Sequence, residues 1–365
     1  MTTRVRVALI YGGTSGEHSV SCLTAASVMR AMDPNKYEVL PIGIRKDGTW
    51  VPGTVNPEEL EQAGPHGEVP ESTDRMVIGS GEDGCVVYRV GTERVDAYAV
   101  DVAFPLLHGP FGEDGTIQGL FEMAGLSYVG DGVFASAAGM DKHYMKVVLE
   151  AANLPVVPYV LATSKRWRHE RDLILREAQD LLTWPVFVKP ARAGSSLGIS
   201  RVERTEDLPA AVESAQKVDP KVLIEQGVAG REIECAVLGG HGDDPARASV
   251  LGEIALDTQW YDYETKYVET EGFHMEIPAN VPEGVADAMR AMAIAVFDAF
   301  ECEGMTRVDF FLTEDGQIFV NEHNTIPGFT AFSMYPVLWE KTGLAYTALI
   351  DELIDLALER PVGLR

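Results

Sequence analysis

The sequence predicts a mixed fold, an α/β N-terminal lobe on a parallel sheet joined to α+β units. Three observations carry this expectation. The first third of the chain alternates short β-branched runs with helical stretches, the order that a parallel sheet with helical crossovers produces. From Arg231 the pattern turns strand-rich, and it ends in two alternating apolar runs separated by Asp315-Gly316. At 365 residues the chain exceeds one ordinary domain, so two or three lobes sharing a cleft are expected.

Residues 5–11 read as a buried first strand, Gly12-Gly13-Thr14-Ser15-Gly16 as a tight turn and 20–32 as a helix. Strands at 37–44 and 102–108 and a helix at 116–124 follow. Residues 51–94 break this rhythm with Gly, Pro and acids and read as a surface insertion. A helix over 134–152 opens the second unit, with strands at 185–189 and 197–202 around a Gly/Ser loop, a helix near 208–217 and a strand at 221–225. Strands at 233–238 and 250–256 precede a polar loop, 257–273, whose tyrosines and Trp260 suit a segment that closes over a site. Val285, Met289, Met292, Val296 and Phe300 then form one helical stripe, which is core.

Composition limits the function. Hydrophobic residues make up 46% of the chain, with 35 Gly and 20 Pro, as in a globular enzyme rich in short turns. The balance of 30 basic against 56 acidic residues gives −26, which repels nucleic acid and anionic membranes. An anionic substrate therefore needs a local cluster of cations. Four cysteines without a C-x-x-C pair point to a reduced, cytoplasmic setting. No run approaches the roughly 20 apolar residues of a membrane span. A Walker loop is absent, and Gly79-Ser80-Gly81-Glu82-Asp83-Gly84 leads into strand-like residues, so it reads as a hairpin turn with no helix N-terminus for a dinucleotide.

The hairpin around Asp315-Gly316 carries the chemistry. If those two residues are the turn, Asp309 faces Glu322 and Arg307 faces Asn324; a longer turn shifts the pairing. Alternation puts these four on one face and His323 on the other. Opposed carboxylates destabilise a sheet unless a positive charge lies between them. Oxygen donors from Asp309, Glu322 and Asn324 suit Mg²⁺, which keeps waters and shares itself with phosphates. The following Pro327-Gly328 leaves a backbone N–H to approach a ligand. Lys189 ends a buried strand beside Gly194-Ser195-Ser196-Leu197-Gly198, and with backbone donors it can meet phosphate oxygens, although strand-end lysines are usually solvated. Lys142 and His108 are weaker candidates: a helix lysine is commonly surface charge, and a strand-end histidine is as often structural.

Together these segments resemble the D-alanine–D-alanine ligases of the ATP-grasp superfamily. The matching blocks include Gly12 to His18, Leu107 to Thr116, Met140-Asp141-Lys142, Val188-Lys189-Pro190, Tyr261 to Tyr267, Arg307-Val308-Asp309 and Asn321 to Thr330, in the family's order. The resemblance implies an N-terminal Rossmann-like lobe over 1–130, a central ATP-grasp lobe over 131–227 and a C-terminal ATP-grasp lobe over 228–365. It implies ATP and two Mg²⁺ (Mn²⁺ substituting) as cofactors, with Asp309, Glu322 and Asn324 as metal ligands. Lys142 and Lys189 then hold phosphates, Glu225 and Val228 meet the adenine edge, Glu232 the ribose and Phe311 the base, while Lys266 is a cofactor-binding residue on the loop that closes over the site. Glu17, Ser19, His108, Ser333 and Met334 surround the amino acids, with Arg307, Gly328, Ser195 and Tyr267 at the reacting centre. Ser19 departs from the carboxylate common at that position, and Glu17 or a water is the substitute. His323 replaces an aliphatic residue, and Ile326 a residue that is often Met or Leu. The implied reaction joins two D-alanines through an acyl phosphate, in a cytoplasmic homodimer serving peptidoglycan precursor synthesis. The competing readings are a D-alanine–D-lactate or D-alanine–D-serine ligase and a non-catalytic ATP-binding protein of the same fold.

Overall fold

A computed structural model describes residues 4–62, 64, 67–81, 84–194, 197–256 and 273–360. Its first sheet is built on β1 (Val5–Gly12), where residues 7–11 are fully buried. Helix α1 (His18–Ala31) crosses over to β2 (Tyr37–Ile44), which pairs parallel with β1 and antiparallel with β3 (Trp50–Pro52). After α2 (Pro57–Gln62), strands β4 (Arg75–Gly81), β5 (Gly84–Val90) and β6 (Val95–Ala99) form a separate antiparallel sheet. Gly81 faces Gly84 across that hairpin, as a turn at this position requires. Its Met76, Cys85 and Val87 enter the same buried cluster as Ala8, Ile10 and Ile42. Strand β7 (Val102–Pro105), α3 (Thr116–Ala124) and β8 (Ser127–Tyr128) complete the order β3-β2-β1-β7-β8, parallel except for the edge strand β3. β7 is shorter than expected: beyond Pro105 the chain turns into a loop that carries His108 toward the site.

A single helix is expected over 134–152, and two are found. Helix α4 (Val133–Met140) stops at Asp141, whose backbone is extended (φ −94°, ψ 99°). The Asp141 side chain caps α5 (Lys142–Ala151) by accepting from the His143 and Tyr144 amides, and it also pairs with Lys221 at 2.5 Å. The break matters because it makes Lys142 the first residue of a helix, anchored by its own amide to the Ala191 carbonyl at 2.9 Å.

Strand β9 (Tyr159–Thr163), α6 (Ser164–Leu181), β10 (Val186–Pro190), β11 (Ser200–Val202), α7 (Leu208–Ala215) and β12 (Lys221–Gln226) build an antiparallel sheet ordered β11-β10-β12-β9. β11 begins three residues later than expected, because the chain before it is still occupied by the loop after Pro190. One face of this sheet packs on α6 and α7 through Val186, Val188, Val222 and Ile224. The other carries Lys189 and Glu225.

The last sheet, ordered β15-β14-β13-β16-β17, contains β13 (Gly230–Leu238), β14 (Arg247–Leu256), β15 (Phe273–Glu276), β16 (Met305–Thr313) and β17 (Ile318–Asn324). Helix α8 (Glu283–Ala299) covers one face, with Met289 and Val296 fully buried and Phe300 just beyond its end. Each such side chain contributes about 1.5–3 kcal/mol by leaving water. Helices α9 (Met334–Thr342) and α10 (Tyr346–Glu359) close a shared core with α1 and β1. Among the described residues no helix is long and apolar enough to cross a membrane.

Candidate active site

Strand β16 alternates strictly: Thr306, Val308, Phe310 and Leu312 are buried on the α8 side, leaving Arg307, Asp309 and Phe311 on the opposite face. The pairs Arg307↔Asn324 and Asp309↔Glu322 are those expected from the sequence. The turn, however, is longer than the two residues assumed. Thr313 bonds Gln317, so Glu314, Asp315 and Gly316 form the loop, with Gly316 at φ 83°. That one-residue slip is undone by a bulge, because pairing jumps from Phe310↔Val320 to Asp309↔Glu322 and leaves Asn321 extra. Two departures cancel, and the expected pairs survive.

Arg307 grips Asp309 with two bonds of 2.7 Å and lies 2.9 Å from Glu234, which faces Asp309 from β13. Burial opposes its charge, but Asp309 and Glu234 outweigh that and hold the guanidinium firmly protonated. Asn324 donates to Asp309 at 3.0 Å, and Lys142 lies 3.3 Å from Glu322. Lys142 also reaches the Ala193 carbonyl at 3.0 Å, so it ties the central unit to the hairpin. Among the described residues no three His, Cys, Asp or Glu side chains converge as a metal cluster. Two carboxylates and an amide fit a hard cation that completes its shell with water and phosphate, and the fit is chemically sound. Arg307 and Lys142 here balance the charge such a cation would meet.

Further along the same face, Glu232 pairs in register with Phe311. On the central sheet Glu225 is buried between two lysines. Lys189 bonds one carboxylate oxygen, and Lys146 lies 2.8 Å from the other. Burial raises the cost of the Glu225 charge, yet the two ammonium groups prevail and hold it down to about 2. Val228 is half-buried in the connection beyond β12.

The substrate candidates gather from three loops. His108 is buried, and its Nδ1 is 3.2 Å from the Ile326 carbonyl; burial, opposed by Glu17, keeps the ring neutral. A side chain added at Gly109 or Gly194 would come within 3.6 and 3.8 Å of a Glu17 carboxylate oxygen, so Glu17 sits between those loops. Ser19 is half-buried in the first turn of α1. A Cβ on Gly328 would stand 3.3 Å from the Ser333 hydroxyl, which bonds the Thr330 amide at 3.1 Å. Met334 is nearly buried, its sulfur filling the space beside Gly252. Ser195, Lys266 and Tyr267 lie outside the described residues.

Lys146 and Glu234 lie beside these residues with no expectation from the sequence, and Glu113 lies within the Leu107–Thr116 block. Glu113 is half-buried and accepts from the Gly109 amide at 2.5 Å; desolvation of its carboxyl, then Glu17, push it up to about 8.

His323 leaves the site, as alternation requires. Its ring packs 4.0 Å from Phe300, and a Cβ on Gly139 would touch it at 2.7 Å. Burial pushes its pKa down to about 4, against Glu322. The unfolded chain takes up this proton near pH 6.5. Stability present above that pH is thus lost as the pH falls toward 4. Between pH 7 and 4 the natural protein is expected to lose about 3 kcal/mol more than His323→Leu, measured by urea unfolding. Parallel pH slopes for the two proteins would show that the ring does not stay neutral.

Residues 6–131 match the family model described as D-ala D-ala ligase N-terminus, and residues 148–355 match D-ala D-ala ligase C-terminus. The chain is 50% identical to the D-alanine--D-alanine ligase of Pseudarthrobacter chlorophenolicus, over 99% of this chain and 96% of that one. It is 51% identical to its counterpart from Arthrobacter sp. (strain FB24), with the same coverage. In fold it is similar to VanG D-Ala:D-Ser ligase from Enterococcus faecalis (TM-score 0.84, 33% identity, 97% of this chain and 100% of that one). It is also similar to the D-alanine-D-alanine ligase from Coxiella burnetii (TM-score 0.81, 32% identity, 98% and 94%).

Proposed function

Because the chain belongs to the D-alanine–D-alanine ligase family and has its ATP-grasp fold, we propose that it joins two D-alanines with ATP, forming ADP and phosphate. The observation that carries this reading is the hairpin face where Asp309, Glu322 and Asn324 lie beside Arg307, with Lys142 reaching in from α5. The product serves as a peptidoglycan precursor.

The chain's own residues divide the work in three lobes, near 1–130, 131–227 and 228–365. Lys142, Lys189 and Lys266 hold the phosphates, Phe311 packs under the base, and Glu232 takes the ribose. With its carboxylate held by two lysines, Glu225 offers adenine its backbone, together with Val228. Glu17 takes the ammonium of the first D-alanine, the role Ser19 is too short to fill, while His108, Ser333 and Met334 shape the amino-acid pockets. The first carboxylate receives the γ-phosphoryl group to give an acyl phosphate. The second amine attacks it, and Arg307 and the Gly328 N–H stabilise the tetrahedral oxyanion before phosphate leaves. Ser195 and Tyr267 complete the centre and exclude the water that would hydrolyse the acyl phosphate. Asp309, Glu322 and Asn324 would hold two Mg²⁺, with Mn²⁺ as substitute, which would supply positive charge against the negative charge gathered during transfer.

We also infer a cytoplasmic homodimer. Exposed Leu120 and Met123 on α3 and Phe134 on α4 support a second copy as partner.

Substrate choice is tested by mass spectrometry of products from equal D-alanine, D-lactate and D-serine with ATP and Mg²⁺ near neutral pH. D-alanyl-D-alanine is expected to dominate. Mainly depsipeptide or D-alanyl-D-serine would defeat the assignment, and no ADP release with any substrate would favour a non-catalytic binder.

A further inference from the structure

Helix α5 buries a charged residue among its apolar ones. Lys146 is 1% exposed and shares its buried face with Met145 and Leu149. Its ammonium lies 2.8 Å from Glu225 and 3.4 Å from the Val157 carbonyl. Glu225 faces it from β12, an inner strand of the four-stranded sheet, and is itself buried. The other oxygen of that carboxylate accepts from Lys189, whose side chain is 12% exposed.

One cation is enough to neutralise one carboxylate, and here there are two. Their positions differ in kind. Lys146 is sealed inside, with no route to a ligand. Lys189 stands at the end of β10, next to the loop that runs through Gly194. If Lys189 were the only partner of Glu225, moving it to a ligand would strand a buried negative charge, and that penalty would oppose binding. With Lys146 in place, Glu225 stays paired whichever way Lys189 points, and the two like charges repel one another.

We propose that Lys146 is a positioning residue: it is the permanent counter-ion of Glu225, and so it releases Lys189 to the phosphates of the nucleotide. The inference rests on the reading of Lys189 as a phosphate-holding residue given above. It assigns Lys146 a role in nucleotide affinity without any contact to nucleotide.

The test is steady-state kinetics on the full-length chain with ATP and D-alanine varied separately. Lys146→Met is expected to raise KM for ATP at least tenfold, with KM for D-alanine changed less than threefold. In Lys146→Met/Glu225→Gln the trap is gone, and KM for ATP is expected to fall at least threefold below that of the single variant. A purely structural lysine would move kcat and both KM values together, not KM for ATP alone. An unchanged KM for ATP in the single variant, or no recovery in the double, overturns the proposal. Should the single variant fail to fold, Glu225→Gln and the double variant are compared. They are expected to agree within twofold, and a tenfold gap between them overturns the proposal. Lys189→Met separates the premise from the inference. If it leaves KM for ATP unchanged, the phosphate reading of Lys189 is what fails, and the proposal falls with it. If it raises that KM, the Lys146 variants alone decide.

Discussion

Glu322→Gln is expected to lower kcat by about 10²–10⁴ while the protein remains folded. A bound divalent ion supplies several kcal/mol of transition-state charge stabilisation, and each 1.36 kcal/mol is a factor of ten. The substitution replaces one carboxylate oxygen with an amide at nearly constant volume. Glu322 faces Asp309 across β16 and β17, so a cation between them loses half of its anionic support. The fold loses little, because the pair with Lys142 at 3.3 Å is partly exposed, and pairs of that kind contribute about 0–1 kcal/mol. A coupled ADP-release assay, with circular dichroism to confirm folding, checks both halves. Turnover within threefold of the natural protein would remove this hairpin from the active site.

The legibility of that hairpin in the sequence has a physical basis and a measure of luck. Alternation along β16 is dictated by burial against α8, so Arg307, Asp309 and Phe311 had to share a face. The turn was read two residues long and is three, and the bulge at Asn321 restored the pairing. A bulge leaves no clear mark in composition, so sequence reasoning reached the right partners by an incomplete route. The break at Asp141 was legible in principle, since Asp before a helical run is a capping signal, but the apolar residues of α4 and α5 run together and mask it. Helix α6 was missed for a different reason: its buried residues Trp167, Ile174 and Ala178 are sparse among charges.

Lys146 was the hardest to see. A lysine four residues from Lys142 reads as one more solvated charge, and only the carboxylate of a strand 79 positions later gives it a buried partner. Ion pairs of this type are long-range facts that neither period nor propensity encodes. The family resemblance, in contrast, was legible because it rests on ordered motifs spread along the chain, and the two family models match up to residue 131, before α4, and from residue 148, inside α5.

Arg307→Lys is the second variant expected to be nearly inactive, with kcat reduced by about 10²–10³, the usual loss for one oxyanion donor. Charge is retained, so the deficit isolates geometry. The guanidinium spans Asp309 with two bonds while also reaching Glu234, and a compact ammonium cannot hold both carboxylates and still face the substrate. Glu234 is 6% exposed, so removing the cation altogether would withdraw its nearest counter-charge from a buried carboxylate, at about 3–5 kcal/mol; Lys avoids most of that penalty, which makes it the cleaner probe. KM for ATP is expected to stay within about threefold, since the nucleotide's phosphates are held by other residues. A kcat within fivefold of the natural protein would show that Arg307 only braces the sheet. Magnesium separates this variant from the first. Glu322→Gln weakens the hold on the cation, so raising Mg²⁺ should restore part of its turnover. Arg307→Lys leaves the cation's donors in place, so added Mg²⁺ should restore none.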